Sequence, residues 1–443
     1  MKKIVLLALS LLFFSTIKAQ EKSMKLSLEE AIIFALEHSY NTKIARNDIA
    51  SANEKVWETT TIGLPQIDGQ VDYQNFLKQP ISVADINGDG IDEEFVFGTK
   101  QNLNAAVTLK QLLFDGSYLV GLQASKTFLK ISKQAEEKTE MLTREAVINA
   151  YGNVLVTEKS ISILKNNIKI LEKNYNDAKK IYENGFNEEE DVEQLEITLG
   201  NLKNQLNSVI RMQEIAYQML NLALGNPINT KLILKDSLDS LAETNIQLEL
   251  IAEDFNFTNH VDFKIAENDI ETKRLMVKLE QSKALPSLYA FINYGTQAFS
   301  NSFTFFNNEQ RWFQSSLIGV SLNVPIFSSF GRKSRTAQAK IALENSDLRL
   351  EETKQRLNLQ AKKAKSEYQL SIENYSTSKR NVNLSERIEK KQRVKFFEGL
   401  SSSFDLLQAQ NQLYTQQQNY IESMLNVIAK KAALENALNL PIK

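Results

Sequence analysis

The heptapeptide KIARNDI at residues 43–49 recurs as KIAENDI at residues 264–270, with six of the seven residues identical. The same spacing carries Leu64-Pro65 onto Leu285-Pro286. A collinear series of such matches indicates two copies of one structural unit. The predicted organisation is a first repeat over 20–227, a linker over 228–244 and a second repeat over 245–443.

Each repeat has the same predicted order of elements: a helix, two strands, a very long helix, a turn at Gly185 or Gly399, and a return helix. The segments QIDGQVDYQ (66–74) and NLNAAVTLK (102–110) alternate polar with apolar or small residues, which predicts half-buried strands. The predicted helices lie at about 27–61, 117–183, 188–224, 245–284, 331–398 and 402–438, and the predicted strands at about 65–76, 101–113, 286–299 and 314–327.

The pattern predicts a fold that is mostly α with a small β part. Each long helix would span roughly 100 Å, too far to bury its apolar stripe inside one compact domain, so it must pack against neighbouring helices as in a coiled coil. Four strands are too few to close a barrel, but three chains would close twelve. We therefore expect a trimer that forms a transmembrane β-barrel. The alternative is a soluble sheet with one solvated face.

In such a barrel the alternating residues of each strand would face water on one side and lipid on the other. The expected lumen residues include Asp68, Asp72 and Lys110. The expected lipid-facing residues of the first strand pair are Ile67, Val71, Tyr73, Leu103, Val107 and Leu109.

The composition excludes several functional classes. The chain has 15 Gly and 6 Pro in 443 residues, which predicts long uninterrupted elements. It has no Cys and only 2 His, so a Cys/His zinc site, a disulfide framework and a thiol nucleophile are excluded. The net charge of −2, with Lys and Arg spread along the chain, does not favour nucleic-acid binding. We predict no enzymatic activity and no cofactor.

The first 19 residues have the pattern of a secretory signal peptide. A basic start (Met1-Lys2-Lys3) precedes an apolar run from Ile4 to Phe14, and Ala19 offers a small residue for cleavage. An amino-terminal membrane anchor is the alternative, but the run is too short to cross a bilayer. We predict an exported protein.

Two turn motifs carry a resemblance to a known family. The segments YENG-x5-DV from Tyr182 and FEGLS-x3-DLL from Phe397 are similar to the Gly-x5-Asp turn motif of the TolC family of outer-membrane efflux proteins, and the doubled order of elements covers the mature chain. The resemblance implies a homotrimeric duct in the outer membrane of a Gram-negative bacterium, with a twelve-stranded transmembrane β-barrel on a long periplasmic α-helical barrel. It further implies contact with outer-membrane lipid, a periplasmic adaptor (a membrane fusion protein) and an inner-membrane pump of the RND or ABC type that supplies the energy. A soluble periplasmic coiled-coil scaffold or adaptor is the alternative function.

The resemblance also assigns roles to residues at the two turns. It places Gly185 and Gly399 at the periplasmic tips, where close approach requires the absence of a side chain. The implied tip and adaptor contacts are Gly185, Phe186, Gly399, Leu400 and Ser401. The implied gate and selectivity ring comprises Asp191, Asp405, Phe396 and Gln408. For the two aspartates the competing interpretation is a favourable charge at a helix N-terminus.

Some positions depart from the family pattern. Phe396 and Ser401 stand where the best-known member has a latching tyrosine and arginine, and Gln408 replaces a second ring aspartate. We therefore expect a differently built latch, with Arg393 and Lys395 as candidates.

The segment from Asp85 to Glu94 begins like a calcium-binding loop. Asp85, Asn87 and Asp89 have the required spacing, but Val96 occupies the position of the final glutamate ligand. A turn without a metal is the default interpretation, and these three residues are a weak calcium candidate.

Overall fold

The computed structural model describes residues 24–86, 88, 90–186 and 188–440. The predicted signal peptide therefore lies outside the described residues. The chain divides into two compact units: unit 1 contains residues 1–47, 134–264 and 351–443, and unit 2 contains residues 48–133 and 265–350.

The first half of the chain contains most of the elements expected for the first repeat, together with short strands that were not predicted. In chain order they are β1 (Met24–Leu26), α1 (Leu28–His38), α2 (Tyr40–Thr61), β2 (Gln66–Asn75), β3 (Ile81–Ala84), β4 (Glu93–Val96), β5 (Gln101–Asp115), α3 (Gly116–Glu183), α4 (Glu189–Leu224) and β6 (Leu232–Leu234).

The second half repeats this order after a more irregular start. Its elements are α5 (Leu238–Thr244), α6 (Glu249–Ala252), a 3-10 turn (Phe257–Asn259), α7 (Val261–Ser282), β7 (Ser287–Ser300), β8 (Trp312–Asn323), α8 (Gly331–Phe397) and α9 (Ser403–Ala437). The predicted fold class, mostly α with a small β part in two repeats, is confirmed.

The first predicted helix, at about 27–61, is divided in the structure at Ser39. This residue is extended (φ −61°, ψ 151°). Its hydroxyl oxygen accepts a hydrogen bond from the backbone N–H of Thr42 at 3.3 Å, as an N-cap does. The serine therefore ends α1 and starts α2.

The helix predicted at about 245–284 begins only at Val261. Before it, Glu253 and Asn256 are extended, with ψ of 133° and 103°. The side-chain oxygen of Asn256 accepts a hydrogen bond from the N–H of Thr258 at 3.0 Å. Such local side-chain bonds compete with the helical ladder, which explains why this segment is not continuous helix.

Unit 2 contains a four-stranded antiparallel sheet with the strand order β2-β5-β7-β8. In this register Tyr73 lies opposite Leu103, Leu103 opposite Ala298, and Ala298 opposite Trp312. Residues paired in this way point to the same side of a sheet, so the predicted apolar residues of all four strands share one face. A separate hairpin, β3–β4, carries exposed apolar side chains such as Phe97 beside it.

Unit 1 contains the main apolar core, in which both repeats take part. Strand β1 pairs in parallel with β6, which joins the start of the first repeat to the segment between the repeats. Two tyrosines of this core are completely buried, Tyr151 on α3 and Tyr368 on α8. The hydroxyl of Tyr151 lies 2.9 Å from Asp236 Oδ2, and that of Tyr368 donates to the carbonyl of Asn245 at 2.6 Å. Each repeat therefore uses one buried tyrosine to hold a connecting segment.

A second apolar cluster in unit 1 lies where the two helical hairpins, α3–α4 and α8–α9, approach their turns. It includes Leu171, Leu195, Phe396 and Leu406. No helix among the described residues is both long enough and apolar enough to span a membrane.

The Tyr151 hydroxyl provides a direct test of this core. It also lies 3.0 Å from the carbonyl oxygen of Leu26, so Tyr151→Phe would remove a buried hydroxyl that bonds both to this carbonyl and to the Asp236 carboxylate. We expect the free energy of unfolding to fall by about 1–3 kcal/mol. Tyr40→Phe is the matched control, because the Tyr40 side chain is exposed. Denaturant unfolding of both variants measures the difference, and equal stabilities would contradict the assignment.

Candidate functional site

The sheet of unit 2 presents two chemically different faces. On the apolar face, Ile67, Val71, Ile318, Val320 and Leu322 are all exposed in the single chain, at 62–77% of their full area. So much exposed apolar surface is unusual for a chain in water and is typical of a site that interacts with a membrane or with another protein.

The opposite face is polar and holds the three predicted lumen residues. Asp68 pairs with Thr108, Asp72 with Asn104, and Lys110 with Gln66, so Asp68, Asp72 and Lys110 point to the same side. Within the described chain the Asp72 carboxylate accepts a hydrogen bond from Gln70 at 3.2 Å, and Asn293 donates to Thr108 at 2.7 Å. This face consists mainly of amides, hydroxyls and a few exposed charges, and such groups suit contact with water.

Aromatic side chains gather at one end of the apolar face. The loop after β7 places Phe303 and Phe305 against Tyr73, with ring centroids 5.7 and 5.9 Å apart. Phe306 remains 84% exposed. Aromatic rings at the border of an apolar band are typical of a membrane interface.

The two helical turns have the same backbone geometry. Gly185 and Gly399 have φ of +78° and +72°. After each glycine, a backbone N–H reaches five residues back: Phe186 N to Ile181 O at 3.1 Å, and Leu400 N to Lys395 O at 2.8 Å. This is the Schellman arrangement, in which glycine takes the left-handed position.

Within the chain, the reason why glycine is required at these two positions differs from the reason that the family resemblance implies. A Cβ atom added at either position would meet no atom of this chain within 4 Å. Within the chain, glycine is therefore required by the positive φ rather than by close approach. The adjoining side chains of Phe186 and Leu400 are 82% and 71% exposed.

The two predicted tip aspartates have different surroundings. Asp405 belongs to a capping box, in which its carboxylate accepts from the N–H of Ser402 at 3.3 Å and its own N–H donates to the Ser402 hydroxyl at 3.3 Å. Asp191 lies in the first turn of α4, where the N-cap residue Glu188 makes no side-chain cap. The helix-terminus interpretation therefore has a direct structural basis at Asp405, whose carboxylate is nevertheless exposed, as is Gln408.

Phe396 lies inside the apolar cluster and is only 5% exposed, with its ring 5.2 Å from that of Phe397. Ser401 has a buried hydroxyl oxygen without a hydrogen-bond partner in the described chain. The structure thus buries Phe396 in the apolar cluster of unit 1, whereas Asp405 and Gln408 are exposed. The latch candidate Arg393 forms an ion pair with Glu389 at 3.6 Å.

Sequence reasoning missed a buried polar group next to this cluster. Glu389 and Gln410 are 7% and 1% exposed. The signal was present in the sequence, because positions 382, 385, 389, 392 and 396 follow the alternating spacing of a coiled-coil seam, and Glu389 falls in its middle.

The weak calcium candidate is only partly described. The Asp85 carboxylate accepts hydrogen bonds from the N–H groups of Gly88 and Gly90 at 2.7 and 2.9 Å, while Asn87 and Asp89 lie outside the described residues. In the part of the chain that the structure describes, no group of three or more His, Asp or Glu is arranged to hold a metal ion.

The second half of the chain is similar to a known protein family. Residues 258–440 match the family model described as outer membrane efflux protein. Most of the second repeat is therefore similar to the outer membrane efflux protein family. The resemblance to this family is thereby confirmed, and the second turn motif lies within the matched residues. A search of the curated proteins finds no match to the chain.

Solved structures support the same fold over nearly the whole chain. The outer membrane protein VceC of Vibrio cholerae superimposes with a TM-score of 0.71 at 14% identity, covering 94% of this chain and 97% of that one. The Campylobacter jejuni CmeC outer membrane channel gives 0.71 at 16% identity, with 93% and 85% covered. The open state of the Neisseria gonorrhoeae MtrE outer membrane channel gives 0.70 at 17% identity, with 93% and 88% covered. The fold of the chain is that of outer-membrane efflux channels.

The turn geometry yields a prediction for Gly399. Gly399→Ala forces a side chain into the left-handed region, which costs about 1–2 kcal/mol. Gly331→Ala is the control, because Gly331 has no positive φ and an added Cβ would find its nearest neighbour 3.9 Å away. We expect a lower midpoint of thermal unfolding for the first variant only. Equal midpoints would show that φ does not constrain this turn.

Proposed function

We propose that the protein is the outer-membrane exit duct of a tripartite efflux or type I secretion system, and that it conducts substrates passively from the periplasm to the outside. The observation that carries the proposal is the sheet of unit 2, whose register separates a polar face from an exposed apolar face over all four strands. A sheet of this kind suits a barrel wall, with water on one side and lipid on the other. The family match of the second repeat supports the same function.

A homotrimer is the assembly that this sheet favours. Strands β2 and β8 are the two edges of the four-stranded sheet. Open strand edges in a bilayer leave backbone groups without hydrogen bonds at a cost of several kcal/mol each, so the edges must be closed. Pairing of β8 from one copy with β2 of the next would close a barrel of twelve strands from three copies.

The helices of unit 1 offer a second surface for the same assembly. Helices α4 and α8 each expose a stripe of apolar side chains. The residues of the α8 stripe are separated by nearly whole numbers of helical turns, so they lie on one side of the helix. The stripe of α4 is Ile197, Met212, Ile215, Met219 and Leu222; that of α8 is Leu359, Leu370, Leu384 and Ile388. Apolar seams at helical spacing pack against one another in coiled coils, and a neighbouring copy supplies the partner.

Charge supports the same contact near the turns. Residues 183–196 contain seven acidic and no basic side chains, whereas residues 379–395 contain seven basic and two acidic ones. Of those seven basic residues, only Lys379 and Arg393 form ion pairs within the described chain. We infer that the acidic start of α4 meets the basic end of α8 of the next copy, since opposite charges favour this register.

The remaining partners follow from the proposed function. The exposed Phe186 and Leu400 at the turns offer apolar contacts to a periplasmic adaptor, and an inner-membrane pump supplies the energy. Outer-membrane lipid would cover the apolar face of the sheet, with Phe303 and Phe306 at headgroup level. A soluble periplasmic scaffold is not favoured, because the family match and the fold are both those of efflux channels. The matched family is described as outer membrane efflux proteins, which supports our prediction of no enzymatic activity.

Fractionation of cells that express the full chain tests the proposal directly. We expect the protein in the outer membrane, extracted only by detergent, with the mass of three chains and with single-channel conductance in planar bilayers. A soluble monomer or dimer in the periplasm would overturn the duct and favour the scaffold.

A pair of lysine substitutions on β8 tests the orientation of the sheet. Ile318 lies on the apolar face and Ser321 on the polar face, and both are exposed in the single chain. Ile318→Lys places a charge in lipid and should destabilise the inserted barrel by about 2–4 kcal/mol. Ser321→Lys should leave insertion intact and alter conductance. Outer-membrane yield and trimer stability are the measurements, and the reverse result would invert the two faces.

A charge exchange tests the contact between copies. Lys391 precedes Gly399 by eight residues, and Glu193 follows Gly185 by eight, so the two lie at matching distances from their turns. We expect Lys391→Glu to lower the temperature at which the trimer dissociates at low salt, and the double variant with Glu193→Lys to restore it. High salt should reduce both effects. Failure of the second substitution to rescue the first would refute this pairing.

A further inference from the structure

Glu389 is a buried carboxylate near the turn of the second helical hairpin. It lies on α8, ten residues before Gly399, and its side chain is only 9% exposed. Its neighbours along the seam include Val382, Ser385 and Phe396, all of them buried. Glutamate is rarely buried to this extent unless it is well paired.

The pairing of Glu389 is incomplete. Arg393, on the same helix, approaches it at 3.6 Å, which is longer than a hydrogen bond. The facing helix α9 contributes Gln410 and Tyr414. Arg393 and Tyr414 are the charged or titratable groups that interact with Glu389 among the described residues, and α3 and α4 add none.

The surrounding polar groups are also only partly satisfied. Neither the Nε2 nor the Oε1 atom of Gln410 completes a hydrogen bond in the described chain, although the side chain is 1% exposed. The Oε1 atom of Gln392 is buried without a partner as well. A half-satisfied polar group inside an apolar cluster costs free energy and forms a weak point in the packing.

The balance of these effects disfavours the ionised form. Burial raises the pKa of Glu389 above its ordinary value of 4.5, and Arg393 and the neighbouring Gln410 amide offset this only in part. Burial likewise raises the pKa of Tyr414, which therefore stays neutral. Glu389 is consequently the group of this cluster that changes charge as the pH falls from neutral.

We propose that Glu389 forms a proton-sensitive contact between α8 and α9. The two helices pack most tightly near their turn when Glu389 is protonated, and their packing loosens when Glu389 is ionised. The inference concerns a single hairpin of unit 1, goes beyond the duct function and does not depend on it. It gives this end of the hairpin two packing states that differ by one proton.

The direction follows from proton linkage. Because the pKa of Glu389 is raised in the folded chain, the folded state holds the proton more strongly than the unfolded state does. The resulting stabilisation is fully present below pH 4.5 and is lost as the pH rises through the raised pKa. Acid should therefore tighten the end of the hairpin, contrary to the usual effect of acid on carboxylates that are well paired.

Hydrogen exchange of the full chain in detergent tests the proposal. Peptides that cover residues 403–415 report on α9 opposite Glu389, and protection factors remove the effect of pH on the intrinsic exchange rate. We expect these factors to be several-fold higher at pH 5 than at pH 8, because the folded chain holds the proton of Glu389 more strongly than the unfolded chain does. In Glu389→Gln, which cannot ionise, they should stay high at both pH values.

Glu386→Gln is the matched control. Glu386 lies on the same helix, one turn earlier, and is exposed, so this variant should retain the pH dependence of the wild type. Protection factors that do not change with pH in the wild type would overturn the proposal even if a variant failed to fold. Persistence of the full pH dependence in Glu389→Gln would overturn it as well. Neither result depends on membrane insertion or conductance. Refutation of the proton-sensitive contact at Glu389 is therefore distinguishable from refutation of the proposed duct function.

Discussion

The antiparallel register of the four-stranded sheet is the constraint on which much of the rest depends. Tyr73, Leu103, Ala298 and Trp312 lie opposite one another in succession, so every second residue of the strands reaches the same face up to the irregularity between Leu112 and Phe114. A shift of one residue in any pair would exchange the polar and apolar sides of that strand. The separation of the two faces therefore depends on strands of both repeats keeping one register.

Much of this architecture is predictable from the sequence, for identifiable physical reasons. Period-two alternation shows the strands, and the two glycines mark the ends of the long helices, so most predicted bounds lie within a few residues of the observed ones. The irregular segment around Asn256 was not predictable from helical periodicity, because a local side-chain bond interrupts the helix there. The pairing of β1 with β6 was also missed, since strands of three residues carry too little pattern.

The functional residues were less predictable than the fold. Asp405 is visible as a carboxylate after a turn, but only the structure shows that Ser402 engages it in a capping box. Phe396 looks like part of a gate in sequence, yet it packs among leucines. Glu389 lies on a recognisable seam, but its incomplete pairing depends on side chains from another helix. Local patterns specify elements, whereas contacts between elements decide what each side chain faces.

Glycine is required at the two turns because of the left-handed backbone conformation and not because of a lack of space for a side chain. The space around Gly185 and Gly399 is open within the chain, and only the sign of φ excludes other L-residues. A D-amino acid has its steric preferences mirrored, so it favours the positive φ that an L-residue avoids. Chemical synthesis or ligation that places D-alanine at these positions would therefore leave the turns intact while adding a methyl group, separating the stereochemical requirement for glycine from any requirement for smallness at the contact with a partner.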